Sequence, residues 1–332
     1  MKKISKVILL VLGLLLLFFL LYFFLGQAPQ PKTITWGVNF SQMQAERLGL
    51  DWKETYLAII NDLGAKNIKL LINWDWVEGK NNDYFFDDID WQVKQAEEKG
   101  VNLIMVIGMK TGRWPECHLP VWAQGLSKEE RENQALNYLQ EMVLRYGESS
   151  AIIAWQVENE PFFAFGECPK TDINFLKKEV ELVKLLDRQK RPVIISDTGE
   201  FSLWLKAAKI GDIVGTTMYK RVWSKELHIY FYAPFPPLFY WLKAQLVKAL
   251  SDKEVQCVEL QAEPWGPVLL YNLPIEEQQK SMDPEKFKHN ISFAKKTGLD
   301  TFYLWGTEWM YQMKTKYNQP EIWEEVKKLF QS

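Results

Sequence analysis

Several short apolar runs in this chain end in carboxylates. Ile152-Ile153-Ala154-Trp155-Gln156-Val157 leads into Glu158-Asn159-Glu160-Pro161, and Val255-Gln256-Cys257-Val258 leads into Glu259-Leu260-Gln261-Ala262-Glu263-Pro264-Trp265. Two further runs end near Asp197 and Glu200, and near Glu308. An acid next to a buried strand is costly unless it is paired or used. Two carboxyl groups facing one cleft can break a glycosidic bond. One protonates the leaving oxygen, and the other attacks the anomeric carbon or activates water. A salt bridge at a strand end is the simpler reading of any single acid, and it is preferred for Glu200 and Glu308, either of which could instead bind a sugar hydroxyl. Two whole clusters favour chemistry, and in the second both Glu259 and Glu263 are candidates. Strand periodicity does not separate the two, because residues 259, 261 and 263 share one face.

The elements that carry these acids alternate. Strand-like runs at Thr35–Phe40, Ile68–Asn73, Asn102–Gly108, Ile152–Val157, Val193–Ser196, Ile213–Met218, Val255–Leu260 and Thr301–Trp305 are each followed by an amphipathic helical run. Eight strand–helix units in about 300 residues predict an α/β chain folded as a (β/α)8 TIM barrel. Gly64, Gly100 and Gly298 follow helical runs where left-handed C-cap residues belong. Active sites in this architecture lie at the C-terminal ends of the strands. The fourth and seventh strands would bring their acids together across the barrel mouth.

Composition narrows the alternatives. The net charge of -2 gives no polyanion-binding signal, so nucleic acid is not an expected partner. The three histidines, His118, His228 and His289, are scattered and no CxxC occurs, so neither a metal nor another cofactor is expected. Fifteen Trp and thirteen Tyr suit a carbohydrate cleft, since an aromatic ring packs on the C–H face of a sugar, although most such rings belong to the core.

Trp155-Gln156-Val157-Glu158-Asn159-Glu160-Pro161 resembles the Asn-Glu-Pro signature of clan A glycoside hydrolases, which include cellulases, mannanases and β-galactosidases. The resemblance covers residues 35–330 and implies a retaining, two-glutamate mechanism. It makes Glu160 the acid/base, Asn159 the partner of the sugar 2-hydroxyl and Glu259 the nucleophile. Gln261 replaces the glycine usual after the nucleophile. Lys69 stands where the family carries arginine and brings positive charge without a bidentate fork. Tyr219 stands where a tyrosine bonds the nucleophile, and Trp305 where a tryptophan floors the sugar subsite. Trp74 after the second strand, His118 in the loop after the third, and Trp265 beside Glu263 complete the candidate substrate contacts. The rival reading is a non-catalytic carbohydrate-binding barrel of the cell envelope.

The N-terminus adds a location. Lys2, Lys3 and Lys6 precede the uncharged apolar run Val7–Leu25. As a helix this run would be about 28 Å long, close to a bilayer core of about 30 Å. The expectation is a membrane anchor over 1–26, a linker over 27–34 and a monomeric extracytoplasmic barrel over 35–332. The barrel would be secreted if Gly26-Gln27-Ala28 is cleaved. Cys117 and Cys168 follow neighbouring strands and are expected to form a disulfide, leaving Cys257 as a buried thiol. The aromatic segment 229–241 is expected near the barrel mouth, as a substrate cover, a bilayer-contacting patch or a hydrophobic plug.

Overall fold

The computed structural model describes residues 2–331, without the side chains of residues 2–9 and 19. Its centre is a closed barrel of eight parallel strands: β1 (Thr35–Ser41), β2 (Asn67–Leu71), β3 (Asn102–Ile107), β4 (Ile152–Val157), β5 (Val193–Asp197), β6 (Ile213–Met218), β9 (Glu254–Gln261) and β10 (Thr301–Trp305). The remaining strands, β7 (Arg221–Ser224) and β8 (Ile229–Tyr232), form a separate antiparallel hairpin.

The expected alternation is present because each strand puts its outward residues against helices. Trp155 and Val157 of β4 and Cys257 and Leu260 of β9 belong to the large apolar shell between barrel and helices. Ala154, Ile194, Val258 and Tyr303 fill the barrel interior, with Leu71, Val106 and Trp305 forming an upper layer beneath the mouth. Local signals agree with this packing. Ser127 and Glu130 form a capping box on Lys128–Tyr146, and Asp172 and Asp283 cap Ile173–Leu186 and Pro284–Lys295. Each such cap is worth about 1 kcal/mol. Gly100 closes Asp87–Lys99 in the left-handed conformation at φ 62°.

Two expectations need correction. The run after β5 is helical only over Leu205–Ala208, because Trp204 at φ 64° interrupts it. The aromatic segment is not one loop across the mouth. Ile229–Tyr232 is β8, and Pro237 already opens the helix Pro237–Ser251. The hairpin leans on the helices after β9, with the Tyr230 hydroxyl donating to Glu277 at 2.7 Å and the Tyr232 hydroxyl 2.9 Å from His289 Nε2. Gln261 fastens its base: its side chain accepts from the Arg221 amide at 2.9 Å and donates to the Arg221 carbonyl at 2.5 Å. A glycine there could make neither bond.

Lys2–Leu25 is helical, and Phe23 meets Phe239 edge-on at 6.3 Å. Among the described residues no helix is long and apolar enough to cross a membrane. Part of the expected anchor, Val7–Leu9 and Phe19, lies outside the described side chains. Cys117 and Cys168 are disulfide-bonded with a Cα–Cα distance of 5.2 Å, and Cys257 is a free buried thiol.

Candidate active site

Glu259 reaches the barrel interior through a β-bulge. Thr216 pairs with Cys257 but Thr217 pairs with Glu259, so Val258 is the extra residue on β9. The bulge shifts the alternation and turns Glu259 inward directly after the inward Val258. There Glu259 accepts from Lys69 Nζ at 3.0 Å and from the Tyr219 hydroxyl at 2.8 Å. Lys69 is fully buried on β2. Tyr219 is aimed in turn by Glu200, whose Oε1 accepts from the Tyr219 amide at 3.3 Å and from the Tyr240 hydroxyl at 2.6 Å. Glu200 is thus a brace for Tyr219 rather than half of a rim salt bridge.

The end of β4 is built from strained backbone. Glu158 and Glu160 both adopt positive φ, 59° and 43°, a conformation that is uncommon outside glycine and that recurs at functional sites. Glu158 points to the neighbouring strand, where its carboxylate accepts from the amides of Met109 at 2.7 Å and Lys110 at 2.6 Å. Gly108, at φ 129°, leaves room for it, since a Cβ there would lie 2.4 Å from the Glu158 carboxylate. Glu158 therefore ties the loops after β3 and β4 together, and the turn delivers Glu160 to the mouth. The Glu160 amide donates to Ser196 Oγ at 2.8 Å, and its Oε1 accepts from Thr217 Oγ1 at 3.0 Å.

Electrostatics separates the two catalytic candidates. Burial is the largest cause that pushes the Glu160 carboxyl up, to about 8, followed by the charges of Glu259 and Glu116. Glu259 instead accepts hydrogen bonds from the Lys69 ammonium and the Tyr219 hydroxyl. Burial, with Glu259 next, holds the Tyr219 hydroxyl well above the ordinary tyrosine range, so it remains a donor.

The other expected contacts divide. Asn159 Oδ1 accepts from Gln156 Nε2 at 3.0 Å, which leaves its NH2 group for a ligand. Trp305 lies on the floor, with Arg113 4.2 Å and Lys69 5.7 Å from its ring centroid. Trp265 is half-buried and meets Tyr219 edge-on at 5.4 Å. Glu263 is held by Arg113, which also bonds Glu308 at 2.8 Å, so this competitor of Glu259 is committed to a buried ion pair. Trp74 and His118 are displaced from the expected cleft. Trp74 is fully buried in the outer shell, stacked on Tyr138 and bonded to Glu78 at 2.7 Å. His118 Nε2 lies 2.9 Å from the Gly112 carbonyl, where it braces the loop after β3. Both follow strand ends, but Trp74 is taken up by the outer shell and His118 by the loop after β3.

Sequence reasoning passed over several contributors. Arg113 and Glu116 lie in the stretch 112–122, which resembles the family's loop after the third strand but gives neither of them a role, and Ser196 and Thr217 carried no motif of their own. Phe163 and Phe165 had a readable signal, an aromatic run directly behind Glu160-Pro161. They stack at 5.9 Å, and Phe165 meets Trp265 at 5.6 Å, which continues the aromatic wall outward. Among the described residues no group of His, Cys, Asp and Glu could hold a metal ion.

No protein-family model and no curated protein matches this chain. Solved structures do. A GH5_18 protein from Bifidobacterium longum subsp. infantis superposes with a TM-score of 0.60 at 15% identity, over 89% of this chain and 78% of that one. The GH5_18 protein from Streptomyces cattleya, solved with GlcNAc, gives 0.60 at 12% identity over 82% and 70%. The β-galactosidase from the psychrophilic Marinomonas ef1 gives 0.59 at 12% identity over 90% and 59%. At such identities the likeness establishes the shared barrel fold.

Proposed function

We propose that this chain is a retaining glycoside hydrolase of an oligo- or polysaccharide. Glu160 acts as general acid/base and Glu259 as nucleophile. The observation that carries this reading is the contrast between two carboxyls at one barrel mouth. Glu160 keeps its proton at neutral pH, whereas Glu259 is cradled by Lys69 and Tyr219. A carboxyl pushed up by burial beside another carboxyl held by two donors suits an acid and a nucleophile. Glu160 protonates the glycosidic oxygen as Glu259 attacks the anomeric carbon. The resulting carboxylate of Glu160 then takes a proton from the water that releases the sugar. Lys69 and Tyr219 hold Glu259 in line, Asn159 offers its amide to a sugar hydroxyl, and Trp305 and Trp265 supply apolar surface to the ring.

The product is expected to keep the anomeric configuration of the substrate, because retaining enzymes set their carboxyls about 5 Å apart and leave no room for a water on the opposite face. Proton NMR of the first-formed sugar tests this, and net inversion would refute the mechanism. The GH5_18 structures were solved with GlcNAc and with Manb1-4GlcNAc, so β-mannosides and GlcNAc-containing disaccharides are suitable first probes, beside β-galactosides. A barrel that binds these sugars without turnover would be the carbohydrate-binding protein instead. Since the acid must carry its proton, kcat/KM is expected to fall as pH rises through about 8.

We further infer that 1–26 anchors the chain in the cytoplasmic membrane as a single span, with the barrel outside. The run Val7–Leu25 and the Cys117–Cys168 bond support this, since disulfides persist in oxidising compartments. The full chain should resist alkaline carbonate extraction from membranes, and protease added to intact protoplasts should cut the barrel. Release by carbonate with N-terminal sequence starting near residue 27 would mean a cleaved signal peptide.

A further inference from the structure

The aromatic wall beside the active site does not end at Phe165. Tyr219, which bonds Glu259, meets Trp265 at 5.4 Å, and Trp265 meets Phe165 at 5.6 Å. Phe165 stacks on Phe163 at 5.9 Å, and Phe163 stacks on Phe201 at 6.3 Å, with interplanar angles of 11° and 15°. Phe163 and Phe165 are half-buried, whereas Phe201 is 74% exposed. The row thus leads from the partner of Glu259 to a ring open to solvent.

A single exposed ring needs no explanation. Rings on loops fastened by buried charges do. The loop after β4 is held by Lys110, whose buried ammonium donates to the carbonyls of Glu160 at 3.1 Å and Phe163 at 2.9 Å. The Cys117–Cys168 bond and the Glu167 amide, which donates to the Pro115 carbonyl at 2.9 Å, hold its far end. Gly166, at φ 89°, lets the loops after β3 and β4 close up, since a Cβ there would lie 2.5 Å from the Glu116 Cβ. The loop after β5 is held in the same way. The buried Lys243 ammonium, from the helix Pro237–Ser251, donates to the carbonyls of Gly199 and of Ser202, the latter at 2.8 Å. Burying an ammonium is costly, and both of these go to backbone next to the stacked rings. The result is an apolar surface in one preset shape, which a ligand can meet without ordering it first.

We propose that the loops after β4 and β5 form a binding site for the leaving-group end of an extended sugar chain, with Phe165, Phe163 and Phe201 as its contact surface. This rests on the glycosidase reading and adds a direction to the substrate. Phe163 and Phe165 follow Glu160-Pro161 directly in the chain. Glu160 protonates the departing oxygen, so the sugars beyond the cleaved bond lie on its side of the mouth. The rings suit a sugar because the C–H face of a pyranose packs on an aromatic surface. They suit a chain rather than one unit because the row continues three rings past Trp265. The site favours oligosaccharides over glycosides with a short leaving group.

The test is fluorine NMR of the full chain in detergent, labelled with para-fluorophenylalanine, with the Phe201 signal assigned by its loss in Phe201→Leu. Cello- and manno-oligosaccharides of increasing length are the probes. At least one of the two series is expected to shift the Phe201 signal, its longer members at lower concentration than its disaccharide. A signal that neither series moves overturns the proposal, and one that spin-labelled lipid broadens instead marks a ring resting on lipid. Turnover gives a second readout. On the series that is cleaved, kcat/KM should rise with length, and Phe201→Ala should lower it about tenfold for the longest member while changing an aryl glycoside by less than about twofold. Phe201→Trp, which keeps a ring, should keep the rise. A length dependence that is unchanged in Phe201→Ala overturns the proposal. The two readings fail separately: a shifted Phe201 signal without cleavage of any glycoside upholds the site and sinks the hydrolase, and cleavage with an unmoved signal does the reverse.

Discussion

Glu259→Gln is expected to lower kcat/KM on an aryl glycoside by on the order of ten-thousand-fold or more, the scale at which removal of a covalent nucleophile acts. The amide keeps the shape of the side chain and can still meet the Tyr219 hydroxyl, but it cannot form the glycosyl ester. Glu160→Ala should cost about a hundred- to ten-thousand-fold on a substrate with a poor leaving group. It should cost much less in the first step on one that departs without protonation. The two variants differ further when azide is supplied. With Glu160→Ala, azide can attack the glycosyl–enzyme and give a glycosyl azide of retained configuration. With Glu259→Ala no such intermediate exists, and any azide product is inverted. Glu263→Gln is the decisive comparison: full activity in Glu259→Gln beside a dead Glu263→Gln would move the nucleophile to residue 263. The structure favours residue 259, because Arg113 already occupies Glu263 while Glu259 faces Lys69 and Tyr219.

The second large effect concerns stability. Arg113 is 5% exposed and pairs with Glu263 and Glu308 while lying over Trp305. Glu308 is fully buried and also accepts from the Ser41 amide at 2.5 Å, so the cluster links the loop after β3 to the ends of β1, β9 and β10. Arg113→Leu would leave two acids buried without their cation. Breaking a buried pair from one side costs about 3–5 kcal/mol, and urea titration of the variant against the parent should show a loss of that size. The carboxyls will relieve part of it by protonating, since burial already pushes both upward. The deficit should therefore shrink at acid pH. Adding Glu263→Gln and Glu308→Gln to Arg113→Leu should recover part of the stability. A change below about 0.5 kcal/mol for Arg113→Leu alone, the size usual for an exposed residue, would show that the cluster is solvated and contributes nothing.

Much of the architecture was legible in the sequence because it depends on local chemistry. Each barrel strand is an apolar run with a helix signal behind it, and caps such as Ser127, Asp283 and Gly100 act within one turn of chain. Eight such units have one common way to bury their apolar faces. The disulfide followed from the same topology, since loops behind adjacent strands lie side by side. The acids at 160 and 259 were visible because charge behind a buried strand needs a reason.

Tertiary structure alone decided what surrounds those acids. Residues 259 and 263 share a face in any register, so only the partners that arrive from elsewhere distinguish them: Lys69 from β2, Tyr219 from the end of β6, Arg113 from the loop after β3. The bulge at Val258 is set by pairing with β6 and β10, and no periodicity within β9 reveals it. Trp74 and His118 followed strand ends as Asn159 does, yet the chain turned them into the shell and the loop brace. The turn at Thr111–Glu116 and the loop behind β4 are brought together by the Cys117–Cys168 bond and the close approach at Gly166, contacts that no local pattern reveals. A hydrophobic pattern specifies which face of an element is buried. Which charges then meet across the barrel mouth depends on contacts between distant elements.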